Sequence, residues 1–197
     1  MKAEPLLTAT GEVLEGPLLV QPQLFEDERG FFYESWNQER WSALLAMHGQ
    51  SSQPFVQDNH SCSAQGVLRG LHWQIAPQPQ GKLVRCVVGE IFDVAVDLRL
   101  GSRTFGQWVG APLSSNNHHQ LWVPVGFAHG FLTLSSEAEV LYKTTDLWSR
   151  ECERALRWND PDVGLQWPRH SSPEPLLSPK DAAAPLLAAL TDQDLAF

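Results

Sequence analysis

Long apolar runs are missing from this chain. Nowhere do roughly 20 consecutive apolar residues follow one another, so no membrane-spanning helix is expected. The opening Met1-Lys2-Ala3-Glu4-Pro5 lacks the apolar stretch of a secretory signal, and nothing directs the chain out of the cytoplasm. Cysteine is scarce: Cys62, Cys86 and Cys152 are odd in number, far apart and without a Cys-x-x-Cys spacing, which reads as reduced, buried thiols. Positive charge is short as well. Lysine and arginine total 14 against 23 acids, and the net charge of −9 would repel nucleic acid. A small anionic substrate would need a local basic pocket, for which Arg29, Arg69, Lys82, Arg85 and Lys143 are the candidates. No internal repeat occurs.

Hydrophobic residues make up 43% of the 197 and are spread evenly, enough for one globular domain with some terminal decoration. Between about Phe55 and Trp158 the chain reads as short β-branched and aromatic runs broken by glycine, proline or asparagine, the pattern of an all-β sandwich or barrel. Lys82 to Arg99 gives two apolar runs around Gly89-Glu90, a hairpin that places Asp93 and Asp97 on one strand face. Gln120 to Pro124 runs into Gly126, and Phe131 to Leu134 resumes the pattern after His129, which reads as strand, turn and strand. Helix is expected only at the margins: Asn37 to Met47, where Trp41, Leu44 and Leu45 share a face, and Asp181 to Leu190. Segments 1–20 and 168–179, rich in proline or small residues, are expected to be surface arms.

Two segments carry chemistry. Val67-Leu68-Arg69-Gly70-Leu71-His72-Trp73-Gln74 sets an arginine and a histidine in a stretch otherwise built for burial. Pro124-Val125-Gly126-Phe127-Ala128-His129-Gly130-Phe131 is a tight turn presenting another histidine. A core histidine satisfied by a backbone carbonyl is the plainer reading of His72 alone. Together the segments resemble the two half-motifs of the cupin superfamily, whose metal-binding members use such histidines as ligands. Here His72-Trp73-Gln74 stands where His-x-His is wanted and no acid follows until Glu90, so no metal is expected.

Longer stretches resemble one family. Asp27-Glu28-Arg29-Gly30-Phe31-Phe32-Tyr33-Glu34, Phe55 to Ser61, Arg69 to His72, Gln80 to Arg85, Gly126 to Phe131, Leu141-Tyr142-Lys143 and Ser178-Pro179-Lys180-Asp181 are similar to the dTDP-4-dehydrorhamnose 3,5-epimerase family, from about Leu18 to Leu187. The resemblance implies a cupin-type jelly-roll β-barrel with short peripheral helices, its barrel at about 18–168 and a C-terminal helical segment at about 178–190. It implies a metal-free and cofactor-free isomerase acting on a dTDP-4-keto-6-deoxyhexose, removing protons beside the C4 ketone at C3 and C5 and returning each from the opposite face. It also implies a homodimer with exchanged N-terminal strands, which would cover an open sheet edge.

The roles implied by the resemblance are specific. His72 is the base, and imidazole suits that work because it titrates near neutrality. Asp181 is the carboxylate that holds its tautomer. Tyr142 is the acid on the far face, and Lys82 stabilises charge developing on the C4 oxygen. Arg29 and Arg69 grip the diphosphate through forked donors. Glu34, Gln57, Asn59, His129, Glu153 and Lys180 match further substrate contacts. Where the family commonly has paired tyrosines, Leu147-Trp148 stands here; Trp148 keeps a flat ring for stacking on thymine, while the sugar contacts of the hydroxyls are lost. Three other readings stay open: an epimerase of one centre or a ketoisomerase, a metal-dependent cupin oxygenase, and a sugar-binding module.

Overall fold

The computed structural model describes residues 1–168 and 174–197. In chain order the elements are β1 (Lys2–Leu7), β2 (Val13–Gln21), β3 (Phe25–Asp27), β4 (Gly30–Phe32), α1 (Gln38–Met47), β5 (Gln57–Ala64), β6 (Leu68–Gln74), β7 (Lys82–Val88), β8 (Glu90–Asp97), β9 (Trp108–Ser114), β10 (Gln120–Val123), β11 (Phe127–Thr133), β12 (Glu137–Thr144), β13 (Glu153–Ala155) and α2 (Pro179–Ala182). Single 3-10 turns follow at Leu187–Ala189 and Asp192–Leu195. No helix among the described residues is long and apolar enough to cross a membrane.

Alternation of side chains along these strands produces the jelly roll. A six-stranded sheet, β1-β2-β10-β7-β12-β5, faces a five-stranded sheet, β13-β6-β11-β8-β9, and β3 and β4 form a separate hairpin. Val84, Cys86 and Val140 from one sheet meet Ile91, Ala95 and Phe131 from the other in the interior. The opposite residues of the same strands face outward and are covered in turn. Trp41, Leu44 and Leu45 of α1 pack on Leu18, Val20, Leu83 and Trp122. The C-terminal segment lays Leu187, Leu190 and Leu195 over Leu71, Trp73, Val94 and Val96. Each sheet is therefore buried on both faces over part of its area.

The expected hairpin at Gly89-Glu90 joins β7 to β8, and Asp93 and Asp97 do share the inward face, both fully buried. The α1 helix starts as expected, with the Asn37 side chain accepting from the Arg40 amide. Three expectations need correction. Residues 1–20 are not a surface arm: β1 and β2 extend the six-stranded sheet, and Leu14, Leu18 and Val20 are buried. Pro5 is compatible with that because β1 is an edge strand, where a missing amide hydrogen costs no ladder bond on the open side. The helix expected over 181–190 stops at Ala182, because Pro185 cannot donate the next helical hydrogen bond and disfavours helical backbone in the residue before it. Cys62 is exposed, since it lies on the outward face of β5, whereas Cys86 and Cys152 are buried. The arm expected over 168–179 falls partly outside the described residues; Leu176 bridges to Val67, fastening the chain to the entry of β6.

Candidate active site

A cavity of about 270 Å³ opens between the two sheets, lined by Ser61, Arg69, His72, Lys82, His129, Phe131, Tyr142, Ser178, Lys180 and Asp181. Strands from both sheets and the C-terminal segment contribute. Tyr142 enters from β12 and Lys82 from β7, while His72 enters from β6 and His129 from β11. Imidazole and phenol thus approach the enclosed space from opposite walls.

Local backbone geometry brings Arg69 and His72 to one side although they are three residues apart. Pairing of β11 with β6 matches His129 to His72 but Phe131 to Arg69, so β6 spends an extra residue there. Such a bulge re-aims side chains. Gly70 makes it fit: its φ is 124°, and a Cβ would lie 2.6 Å from Gly130 Cα and 2.8 Å from the His129 carbonyl oxygen. The two glycines let the strands cross closely beside both histidines.

His72 Nε2 lies 2.5 Å from Asp181 Oδ1. Asp181 is held by α2, whose first turn is capped by Ser178 with its oxygen accepting from the Asp181 amide at 3.1 Å. Burial raises the Asp181 carboxyl, but hydrogen bonding and attraction to His72, with support from Ser178 and the Gly70 backbone, outweigh it and hold the group below the usual aspartate value. An ionised carboxylate accepts, so Nε2 carries the hydrogen and the lone pair sits on Nδ1. That is the form a general base requires.

Lys82 is buried, and its ammonium donates to the His72 carbonyl at 3.1 Å. Desolvation brings it down to about 8, with Glu153 and any charge on Asp93 holding it up and Lys180 pressing it further down. Tyr142 is raised, chiefly by burial, with Arg69 partly compensating and Glu153 adding to the rise; it therefore keeps its proton at neutral pH. Arg69 is anchored by Ser63 Oγ at 2.9 Å and the Cys62 carbonyl at 3.2 Å.

Of the residues singled out in the sequence, His72, Tyr142, Lys82, Asp181, Arg69, His129 and Lys180 line this one cavity. Glu153 reaches its rim through a 2.6 Å ion pair with Lys180. Gln57 donates to Asn59 at 2.9 Å and accepts from the Trp148 amide at 2.9 Å, so these three form a neighbouring group, with the Trp148 ring 55% exposed. Arg29 and Glu34 lie elsewhere: Arg29 pairs with Asp27 on the exposed hairpin, and Glu34 pairs with Arg40 beside α1. The expected basic pocket is also narrower than the five candidates. Arg85 and Lys143 project from the outer face of the six-stranded sheet, where Lys143 pairs with Asp58. Ser61, Phe131, Ser178 and Asp93 were missed. Strand alternation from Asn59 could have suggested Ser61, but no sequence signal pairs Asp93 with His129. Among the described residues no group of three or more histidine, cysteine or acidic side chains is placed to hold a metal ion.

A jelly roll enclosing an imidazole, a phenol and an ammonium is the architecture of a cupin-type isomerase. The family model for dTDP-4-dehydrorhamnose 3,5-epimerase matches residues 12–189, and the chain belongs to that family. The Salmonella typhimurium enzyme of that name is 56% identical over 177 residues, covering 89% of this chain and 93% of the relative. The Pseudomonas aeruginosa enzyme is 56% identical over 175 residues, with 89% and 93% covered. A Legionella pneumophila dTDP-6-deoxy-D-glucose-3,5-epimerase, crystallised with dTDP-4-keto-L-rhamnose, superposes with a TM-score of 0.87 at 47% identity, covering 98% of this chain and 97% of that one.

Proposed function

We propose that the chain converts dTDP-4-keto-6-deoxy-D-glucose to dTDP-4-keto-L-rhamnose by inverting C3 and C5. The observation that carries this reading is the placement of His72 and Tyr142 on opposite sheets around one cavity. Inversion beside a ketone needs a base on one face and a proton donor on the other. Nδ1 of His72 takes the proton from carbon, and Asp181 stabilises the imidazolium that forms. Negative charge moves to the C4 oxygen, where the buried Lys82 ammonium meets it. Tyr142 delivers a proton to the other face. Arg69 binds the diphosphate, with His129, Lys180 and Glu153 contributing contacts around it, and Gln57, Asn59 and Trp148 hold the nucleoside end.

The working form is a homodimer in the cytoplasm, where free thiols persist. Support comes from the β3–β4 hairpin, whose Phe25, Phe31 and Phe32 are exposed and which carries Arg29 away from this chain's own cavity. Docked on a second copy, it would bury those rings and bring Arg29 and Glu34 toward the partner's diphosphate. β1 pairs with β2 of its own chain and leaves its outer edge for strand pairing across the subunits.

The test is proton NMR of the substrate with enzyme in deuterated water. Deuterium at both C3 and C5 with inverted product is the expected result. Label at one centre alone would replace this reading with a single-centre epimerase, and no label at all would remove it.

A further inference from the structure

Behind the cavity lies a second histidine–aspartate pair. His129 Nε2 is 2.7 Å from Asp93 Oδ1, with the Asp93 side chain 0% and that of His129 8% exposed. Oδ2 of Asp93 is buried without a hydrogen-bond partner among the described residues. Groups facing Asp93 come from several elements: His129 on β11, and Lys82 and Cys86 on β7, with His72 of β6 beyond them. Lys82 directs its hydrogen bond to the His72 carbonyl rather than to Asp93.

We infer that Asp93 is a positioning residue that keeps its proton: its carboxylic acid donates from Oδ1 to Nε2 of His129, which fixes that ring as a neutral imidazole with hydrogen on Nδ1. In an ionised carboxylate both oxygens carry charge, and burying one of them unpaired is far more costly than burying the uncharged carbonyl oxygen of an acid. A neutral pair also avoids placing two full charges in a dry interior, where desolvation can exceed the attraction between them. Burial moves both partners in the required directions, Asp93 upward and His129 downward, against their mutual attraction.

The consequence, which rests on the epimerase reading of the cavity, concerns Lys82. An ionised Asp93 would neutralise the ammonium from behind. A protonated one leaves that charge unopposed where Lys82 holds its proton, with Glu153 as the carboxylate that still favours the ammonium, and offers His129 Nδ1–H as an uncharged donor at the cavity wall. The two pairs thus hold opposite tautomers: Nε2–H in His72, Nδ1–H in His129.

Carbon-13 and nitrogen-15 NMR of the unliganded wild type tests this independently of turnover, with Asp93→Asn assigning the carboxyl resonance. Between pH 6 and pH 8 the Asp93 carbon should stay at the position of a protonated acid, and His129 should show a bare Nε2 and a protonated Nδ1. An ionised Asp93 carbon, or hydrogen on His129 Nε2, overturns the inference whether or not the chain epimerises. Asparagine can make the same donation, so Asp93→Asn should keep turnover within about threefold, whereas Asp93→Leu, which cannot donate, should lose about tenfold or more. A folded Asp93→Asn as impaired as Asp93→Leu would also overturn it.

Discussion

The two histidine–aspartate pairs have the same constituents and nearly the same spacing, yet their surroundings separate them. In the His72–Asp181 pair the histidine side chain is 26% exposed and the carboxylate is supported by Ser178 and the Gly70 backbone. In the His129–Asp93 pair the carboxyl is fully buried, the histidine shows only an edge to the cavity, and one carboxyl oxygen is unsupported. The first environment stabilises charge, so it suits a base that becomes an imidazolium at each turnover. The second penalises charge, so it suits a fixed donor. Support around a carboxylate, more than its contact with histidine, decides which work the pair can do.

The sharpest way to break this contrast is at the reactive ring. His72→Asn should fold and lose roughly 10²–10⁴-fold in kcat, with deuterium uptake gone at both C3 and C5; uptake persisting at one carbon at its original rate would mean a second base. Next comes its partner. Asp181→Asn cannot stabilise the imidazolium, and kcat should fall about 10²–10³-fold, in contrast to the mild effect of the same change at Asp93.

Tyr142→Phe probes the far wall. Proton removal remains available, so deuterium should still enter the recovered substrate while net inversion falls by about 10²-fold; an unchanged ratio of exchange to inversion would make the tyrosine a wall residue. The contrast also has a pH signature. Burial lowers Lys82 to about 8 even with Asp93 counted as a charge, so as pH rises the enolate loses its counter-charge and kcat should decline on the alkaline side, earlier still with a protonated Asp93; with Lys82→Arg, which stays charged, the remaining activity should lack that decline. The smallest effect belongs to the rim: Trp148→Ala should weaken dTDP binding by about 1–3 kcal/mol, the usual worth of a base stacked on an aromatic ring, with kcat nearly unchanged, as binding and single-turnover measurements would reveal.

Much of the cavity was legible in the sequence because its residues sit in long stretches that resemble one family. His72, Lys82, Tyr142 and Asp181 each stand in such a stretch, and they meet in one cavity. The outlying residues were less legible. Arg29 and Glu34 stand in equally recognisable stretches, but their distance from the cavity depends on where the β3–β4 hairpin points, which local pattern does not encode. Residues 1–20 read locally as an arm because of Pro5 and Pro17, even though the resemblance implied N-terminal strands and Leu14, Leu18 and Val20 fall on even-numbered, alternating positions. Alternation puts Asp93 on one face with Asp97, but which face that is, and its bond to His129, depend on the β8–β11 register across 36 residues of chain.

Asp181 joins His72 across 109 residues and reaches the cavity only because the C-terminal segment folds back over the five-stranded sheet. During synthesis every strand of the barrel emerges from the ribosome before the carboxylate that pairs with His72. On the proposed mechanism a nascent chain can therefore shape its sheets while its histidine still lacks a carboxylate, and the pair is completed only when the C-terminal segment is laid down.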